Sequence, residues 1–343
     1  MNTESRLKDY YHFDEQILQS VGTTALQQNK LSFQELADDF GIGAGPQLQR
    51  PTAQTNRTIE FFQINPSADY DESKLRICQS PMGIPADKSM AMRAIRLFGS
   101  DPTVPLIVVG SPASIGNRAN RLKLADLNQV RRGDLEPAIS PMLQFIMNQG
   151  VTKLEVVGYS YGADAGAAIL SASNQYDIKT ECAVLIEPAG VQEQSVLNLA
   201  KSFGASGAEL EAYVDQTESA PLFEARNRNQ SAIAGLTGFS KWAGGFLRAS
   251  NLAIAQGLSR GRFAPTLDRA LDKQAELKVA IAWGSASELV NADAITEAIR
   301  DLSVKHPHRV LPMEMNGMHH GGGDDIDLHA AMVLQGLALT ANH

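Results

Sequence analysis

The sequence predicts an α/β protein with a doubly wound, mostly parallel sheet, and three observations lead to this fold class. Five short continuous runs of apolar residues end at glycine or at a polar residue, which is typical of strands buried on both faces. Stretches with helical patterning alternate with these runs and indicate βαβ crossovers. A chain of 343 residues that is 43% hydrophobic also has enough apolar material for a large core. The five predicted strands are 104–110, 154–158, 183–186, 277–283 and 309–315.

Two further β-rich stretches, 57–64 and 75–79, precede these strands. A polar turn separates them, which predicts an antiparallel hairpin. Residues 1–50 are polar and helical in pattern, so we expect a helical N-terminal extension. Within it, 31–45 resembles the first half of a helix-turn-helix, and DNA binding is therefore one alternative function. The proline-containing segment that follows offers no recognition helix, which favours a short helix capped by Gly41 instead.

Residues 192–272 separate two predicted strands by about 80 residues, much more than an ordinary crossover needs. They contain helical patches and no β-rich run, which predicts a helical insertion over one edge of the sheet. The core then comprises 51–191 and 273–343.

Composition restricts the classes of function and compartment. A net charge of −8 and a pI near 5.4 disfavour non-specific binding to nucleic acid. Two cysteines in the whole chain provide neither a disulfide framework nor a cysteine-based zinc site. The first residues lack the pattern of a secretory signal, and no uninterrupted apolar run reaches the length of a membrane span. We therefore expect a cytoplasmic protein.

The motif Gly158-Tyr159-Ser160-Tyr161-Gly162 fits G-x-S-x-G, between a predicted strand and an Ala-rich predicted helix. Such a turn holds its serine in strained backbone geometry, and the flanking glycines leave room for close approach. The serine then lies above the N-terminus of the helix, where the N–H of Tyr161 can stabilise an oxyanion. Ser160 is therefore the candidate nucleophile.

Together, the order of strands and this motif resemble the α/β-hydrolase superfamily over most of residues 57–343. The resemblance implies a catalytic triad in the chain order serine, acid, histidine. Its histidine follows the last strand, where this chain reads Asn316-Gly317-Met318-His319-His320. Alignment with the family's Gly-x-Gly-His loop places His319 at the position of the base. His320 is the neighbouring alternative.

Two glutamates compete for the acid position. The family's usual Gly-x-x-Asp after the penultimate strand corresponds to Gly284-Ser285-Ala286-Ser287, with serine at the aspartate position and Glu288 one residue later. Glu288 is the favoured acid. Glu187 is the alternative, because Leu185-Ile186-Glu187-Pro188-Ala189-Gly190 resembles the acid motif of pancreatic-type lipases.

The second oxyanion donor should come from the loop after the third strand. The loop Val109-Gly110-Ser111-Pro112 follows the strand that we take as the third. The resemblance then assigns the backbone N–H of Ser111, together with that of Tyr161, to the oxyanion hole.

These assignments predict a serine hydrolase that cleaves a small-molecule carboxylic ester through an acyl-enzyme intermediate, with no cofactor and no metal. Alternatives on the same fold are acyl transfer, thioester or amide hydrolysis, and a non-catalytic binding protein. The insertion is predicted to act as a lid whose apolar side chains border the acyl pocket, and these include Phe239, Trp242, Phe246 and Leu247. The alternative is that these side chains form only the insertion's own core.

Overall fold

A computed structural model describes Glu35 and residues 47–49, 57–66, 69–83, 88–112, 121–205, 249–287, 289–315, 317–320 and 326–342. The helix-turn-helix-like segment, apart from Glu35, lies outside the described residues. So do the four apolar residues predicted to line the lid and the favoured acid, Glu288. The predictions that concern those residues stay predictions.

Eight strands form one sheet, in the order β1-β2-β4-β3-β5-β6-β7-β8. The strands β3 to β8 run parallel, and β1 and β2 are antiparallel to their neighbours. The predicted mostly parallel, doubly wound sheet is thus confirmed. The strands are β1 Gln47–Gln49, β2 Ile59–Ile64, β3 Lys74–Gln79, β4 Leu106–Val109, β5 Lys153–Tyr159, β6 Lys179–Ile186, β7 Lys278–Gly284 and β8 Val310–Met315.

The predicted hairpin between 57–64 and 75–79 is wrong, because β4 lies between β2 and β3. Strand β3 is buried from Leu75 to Gln79, so it needs a neighbour on each edge, and it pairs in parallel with β4 and with β5. The helix α1, Lys88–Ser100, makes the crossover between β3 and β4. The polar turn that suggested a hairpin joins two strands that are not partners.

The sheet also begins earlier than predicted. Residues Gln47–Gln49 pair with β2, although they fall within the segment predicted as an N-terminal helical extension. The described sheet therefore extends past the predicted core boundary at residue 51.

The nine described α-helices form two layers, one on each face of the sheet. Helices α1 and α9 pack together and cover one face, with a core that includes Cys78, Val157 and Met332. Most of the others cover the opposite face, around Ile77, Val156 and Leu271. The helices after α1 are α2 Leu124–Val130, α3 Glu136–Asn148, α4 Tyr161–Ala172, α5 Val196–Ala205, α6 Ala249–Leu258, α7 Phe263–Lys273, α8 Ala292–Lys305 and α9 Ile326–Asn342.

The described parts of the predicted insertion, 192–205 and 249–272, contain three helices, α5, α6 and the start of α7. Helix α7 packs directly against α4, and its residues Leu267, Ala270 and Leu271 are fully buried in the core. This last part of the insertion therefore belongs to a helical layer of the core. Within the part of the chain that the structure describes, no helix combines the length and the apolar character needed to cross a bilayer.

Candidate active site

Ser160 lies in a tight turn between the end of β5 and the start of α4. Its backbone angles, φ 56° and ψ −128°, are unfavourable for a residue with a side chain. A Cβ atom on Gly158 would lie 2.1 Å from the carbonyl oxygen of Gly162, and one on Gly162 would lie 2.0 Å from that of Gln79. Neither position therefore has room for a side chain, and glycine is required at both. The Ser160 N–H donates to the Ile186 carbonyl at 2.9 Å, which ties the turn to the next strand.

A continuous hydrogen-bonded chain leads away from the Ser160 hydroxyl. Nε2 of His320 lies 3.0 Å from Ser160 Oγ, and Nδ1 of the same ring lies 3.0 Å from Glu187 Oε2. All three side chains are buried, with at most 3% of any of these residues exposed. An imidazole between a hydroxyl and a carboxylate can accept the hydroxyl proton while the carboxylate stabilises the resulting imidazolium.

The structure brings His320, and not the predicted His319, to the serine. Met318 precedes the two histidines and is fully buried. Its carbonyl oxygen accepts the N–H of Ala286 at 3.1 Å. A Cβ atom on Gly284 would lie 1.9 Å from that carbonyl, so Met318 packs tightly on the end of β7. The loop therefore needs one residue more than the family pattern before its histidine faces the nucleophile.

Tyr159 contacts both the backbone and the ring of His320. Its hydroxyl donates to the His320 carbonyl at 2.7 Å, and its ring stacks on the imidazole with centroids 5.5 Å apart. The Tyr159 ring also forms a T-shaped pair with His329 and lies beneath the guanidinium of Arg93, and these two side chains contact each other. Tyr159 therefore fixes the position of both the backbone and the ring of His320.

Glu187 is the carboxylate at His320, whereas the favoured Glu288 lies outside the described residues. Glu187 follows β6 directly and has φ 51°. Its carboxylate also accepts the N–H of Gly284 and, at 2.6 Å, the hydroxyl of Ser287. The sequence contained the signal for this position in its Glu-Pro-Ala-Gly motif. It also contained Ser287 at the expected aspartate position, but sequence reasoning assigned that residue no role.

Asp164 is a second buried carboxylate, one turn into α4, which sequence reasoning missed. It accepts the N–H groups of Ala189 and Gly190, the residues that follow Glu187 and Pro188, at 2.9 to 3.2 Å. Burial raises the pKa of Asp164 from its ordinary value of 3.8 to about 7, although these hydrogen bonds act in the opposite direction. Asp164 thereby fastens the loop that carries Glu187.

The sheet order does not place the predicted oxyanion donor Ser111 next to the nucleophile strand. Ser111 follows β4, and β3 lies between β4 and the nucleophile strand β5, so the loop next to Ser160 is the one after β3. In that loop the Ser80 N–H already donates to Val109, and Pro81 has no N–H. The next backbone donor is that of Met82, a buried residue. Tyr161, the other predicted donor, is the first residue of α4.

Two polar features lie away from the triad. A cavity of about 380 Å³ beside α4 is lined by Asp164 and by residues of α6 and α7, but by none of the three triad residues. Asp268, Asp272 and His306 cluster closely enough to hold a metal ion. The ammonium of Lys305 lies 2.8 Å from Asp268 and 3.0 Å from Asp272, so this cluster is already an ion-pair network. A metal ion would have to displace that ammonium.

No protein-family model and no curated protein sequence matches the chain. Solved structures do match. A haloalkane dehalogenase from Agrobacterium tumefaciens is 12% identical, with 88% of this chain and 98% of that chain covered and a TM-score of 0.51. The N-formylmaleamic acid deformylase of Pseudomonas putida is 13% identical, with coverages of 84% and 99% and a TM-score of 0.49.

A puromycin-hydrolysing peptidase of Mycobacterium tuberculosis is 16% identical, with a TM-score of 0.48. The match covers 86% of this chain and only 40% of the length of that peptidase. The match to the dehalogenase, together with the sheet order and the nucleophile turn, shows that the chain has the α/β-hydrolase fold. At these identities the likeness establishes the fold only.

Proposed function

We propose that the protein is a serine hydrolase that cleaves a carboxylic ester through an acyl-enzyme intermediate, with Ser160, His320 and Glu187 as its triad. The observation that carries the proposal is the unbroken chain of hydrogen bonds from Ser160 Oγ through the imidazole to Glu187. The proposal keeps the predicted nucleophile and takes the alternatives His320 and Glu187 in place of the favoured His319 and Glu288.

The geometry suits proton transfer in both halves of the reaction. Nε2 of His320 takes the proton of Ser160 Oγ as that oxygen bonds to the ester carbonyl carbon. The imidazolium then protonates the leaving alkoxide, and the alcohol departs. In the second half, water loses its proton to Nε2 and attacks the acyl group, and the acid leaves as Ser160 regains its proton. Glu187 holds the Nδ1–H tautomer throughout and stabilises the imidazolium.

The developing oxyanion needs fixed donors close to Ser160. The proposed donors are the backbone N–H groups of Tyr161 and Met82. The first lies at the N-terminus of α4, where unpaired N–H groups and the helix dipole favour negative charge. The second lies in the loop after β3, and the carbonyl of Gln79, the last residue of β3, lies against Gly162 of the nucleophile turn.

The alternative of a non-catalytic scaffold had its basis in the imperfect acid motif. Glu187 removes that basis, because a buried carboxylate already faces the imidazole. Acyl transfer and thioester or amide hydrolysis would use the same residues. The ester is proposed because it is the commonest substrate class on this fold, which is an argument by analogy.

Labelling by a fluorophosphonate probe and hydrolysis of p-nitrophenyl esters of increasing chain length test the proposal. We expect the wild type to become labelled and to release p-nitrophenol. Ser160→Ala should lose both properties, because it removes the hydroxyl proposed as the nucleophile. Acyl transfer is recognised by an added alcohol that outcompetes water.

Ser173→Ala is the matched control. Ser173 is also fully buried, but its hydroxyl bonds to the Leu170 carbonyl at the far end of α4. This variant should keep labelling and turnover. A wild-type protein that is neither labelled nor active on any ester, or a Ser160→Ala variant that keeps full activity, would refute the proposed function.

A further inference from the structure

We propose that Ser287 is the positioning residue of the triad acid, and that position 287 can itself carry the carboxylate of the triad. The proposal rests on the proposed function, because it concerns the residue that orients Glu187 toward His320. It assigns a role to a serine that follows β7, whereas the acid follows β6.

The first step of the argument is the contact itself. Ser287 Oγ lies 2.6 Å from Glu187 Oε2, the same oxygen that faces Nδ1 of His320 at 3.0 Å. Glu187 is fully buried and Ser287 is 9% exposed, so bulk water cannot easily replace this hydroxyl. A hydrogen bond to a buried carboxylate is among the stronger kinds in proteins.

The second step concerns the geometry of the acid. Glu187 has a positive φ, and its side chain reaches from the end of β6 to the end of β7, where Gly284 N–H binds the other carboxylate oxygen. Two donors, one on each oxygen, fix the plane of the carboxylate. Without Ser287, Oε2 keeps only the Nδ1–H of His320 as its partner among the contacts of the described residues, so the acid and the imidazole are free to shift together.

The third step concerns the Ser287 hydroxyl itself. Its oxygen accepts the N–H of Val290 at 3.3 Å, which leaves its proton to point at Glu187. Ser287 is thus held by its own loop as a donor to the acid. Because Ser287 Oγ and His320 Nδ1 contact the same carboxylate oxygen, an aspartate at 287 would reach the imidazole once the Glu187 side chain is removed.

The Nδ1 proton of His320 gives a spectroscopic readout that a purely structural role would not change. Donation from Ser287 withdraws negative charge from Oε2, so its loss leaves more negative charge on the oxygen that faces this proton. Among the described residues, the ionisable groups near His320 include Glu187, which follows β6, and, around the Tyr159 ring, Arg93 on α1 and His329 on α9. His319 is its chain neighbour. None of these groups is changed by Ser287→Ala.

The experiment compares Ser287→Ala, Ser287→Thr and the Ser173→Ala control in the full chain. For Ser287→Ala we expect kcat on a p-nitrophenyl ester to fall about 10-fold with KM nearly unchanged. The acid limb of the kcat/KM profile should move to higher pH. Ser287→Thr keeps the hydroxyl and should recover most of the rate, whereas Ser173→Ala should change neither quantity.

The second test moves the acid. Glu187→Ala should be strongly impaired, and the double variant Glu187→Ala with Ser287→Asp should regain at least about 10-fold in kcat over it. The proposal is overturned if Ser287→Ala keeps wild-type kcat and an unchanged pH profile. It is equally overturned if the double variant is no better than the single one while Ser287→Thr is as slow as Ser287→Ala.

Histidine NMR separates this proposal from the proposed function. The chemical shift of the His320 Nδ1 proton, assigned by comparison with His320→Ala, is measured without substrate in the wild type and in Ser287→Ala. A changed chemical shift in Ser287→Ala supports the positioning role even in a protein that hydrolyses no ester. An unchanged chemical shift contradicts it even in an active enzyme.

Discussion

Asp164 should make the folded protein less stable as the pH rises, and Asp164→Asn should abolish this dependence. Burial raises the pKa of Asp164 from 3.8 to about 7, so the folded protein binds this proton more tightly than the unfolded chain. The contribution to stability is therefore complete below pH 3.8 and is lost as the pH rises through about 7. Each tenfold change in proton affinity is worth about 1.4 kcal/mol, which makes the total loss about 4 kcal/mol.

Asparagine keeps an oxygen that can accept the N–H groups of Ala189 and Gly190 but cannot ionise. We expect the free energy of unfolding of Asp164→Asn, relative to wild type, to increase by about 2 to 3 kcal/mol between pH 5 and pH 8. Urea unfolding at four pH values in this range measures it. Fluorescence of Trp283, which is fully buried, reports the transition.

The control is Asp301→Asn, because the Asp301 side chain is 73% exposed on α8. Its free energy of unfolding relative to wild type should stay nearly constant with pH. If the same constancy, within about 0.5 kcal/mol, is found for Asp164→Asn, the two backbone hydrogen bonds outweigh burial. The reasoning about Asp164 is then wrong.

Three further predictions test the triad and its support. His320→Ala should lower kcat about 10²- to 10⁴-fold, whereas His319→Ala should be much milder; the opposite ranking would return the base to His319. Glu187→Gln should cost about 10³-fold in kcat with binding intact, while Glu288→Gln stays within about twofold; a large loss confined to Glu288→Gln would reassign the acid. Tyr159→Phe keeps the ring but loses the bond to the His320 carbonyl, so thermal unfolding should show about 1 kcal/mol less stability and kcat should fall severalfold. Unchanged stability and kcat would mean that the Tyr159 hydroxyl does not hold the loop.

The local parts of the fold could be predicted because each depends on neighbours in the chain. Buried parallel strands need continuous apolar runs, and the turn at Ser160 needs glycine on both sides for steric reasons. The mostly parallel sheet and the strand–turn–helix around Ser160 therefore followed from patterning alone. The hairpin did not, because the pairing of β3 depends on which edges the rest of the sheet leaves open.

The positions of the triad partners depend on tertiary contacts and not on local sequence patterns. His319 and His320 are adjacent, and long-range contacts, which include the packing of Met318 on Gly284 and the bond from Tyr159 to His320, accompany the placement of His320 at Ser160. Similarly, Ser111 was a reasonable oxyanion donor until the sheet order put β3, and not β4, beside the nucleophile. In each case the residue or loop that the structure places near Ser160 differs from the predicted one by one residue or by one strand.

The sequence by itself determined the fold class and the nucleophile turn, because both are set by local sterics and by hydrophobic periodicity. The chain order in which the acid and the histidine follow Ser160 came from the resemblance to the α/β-hydrolase superfamily. Tertiary structure decided that Glu187 and His320 meet at Ser160, and that Ser287 and Asp164 hold the acid and its loop. These hydrogen bonds join residues about 25 to 160 positions apart, so they depend on which strand ends come together in space. No local sequence pattern indicates which strand ends those are.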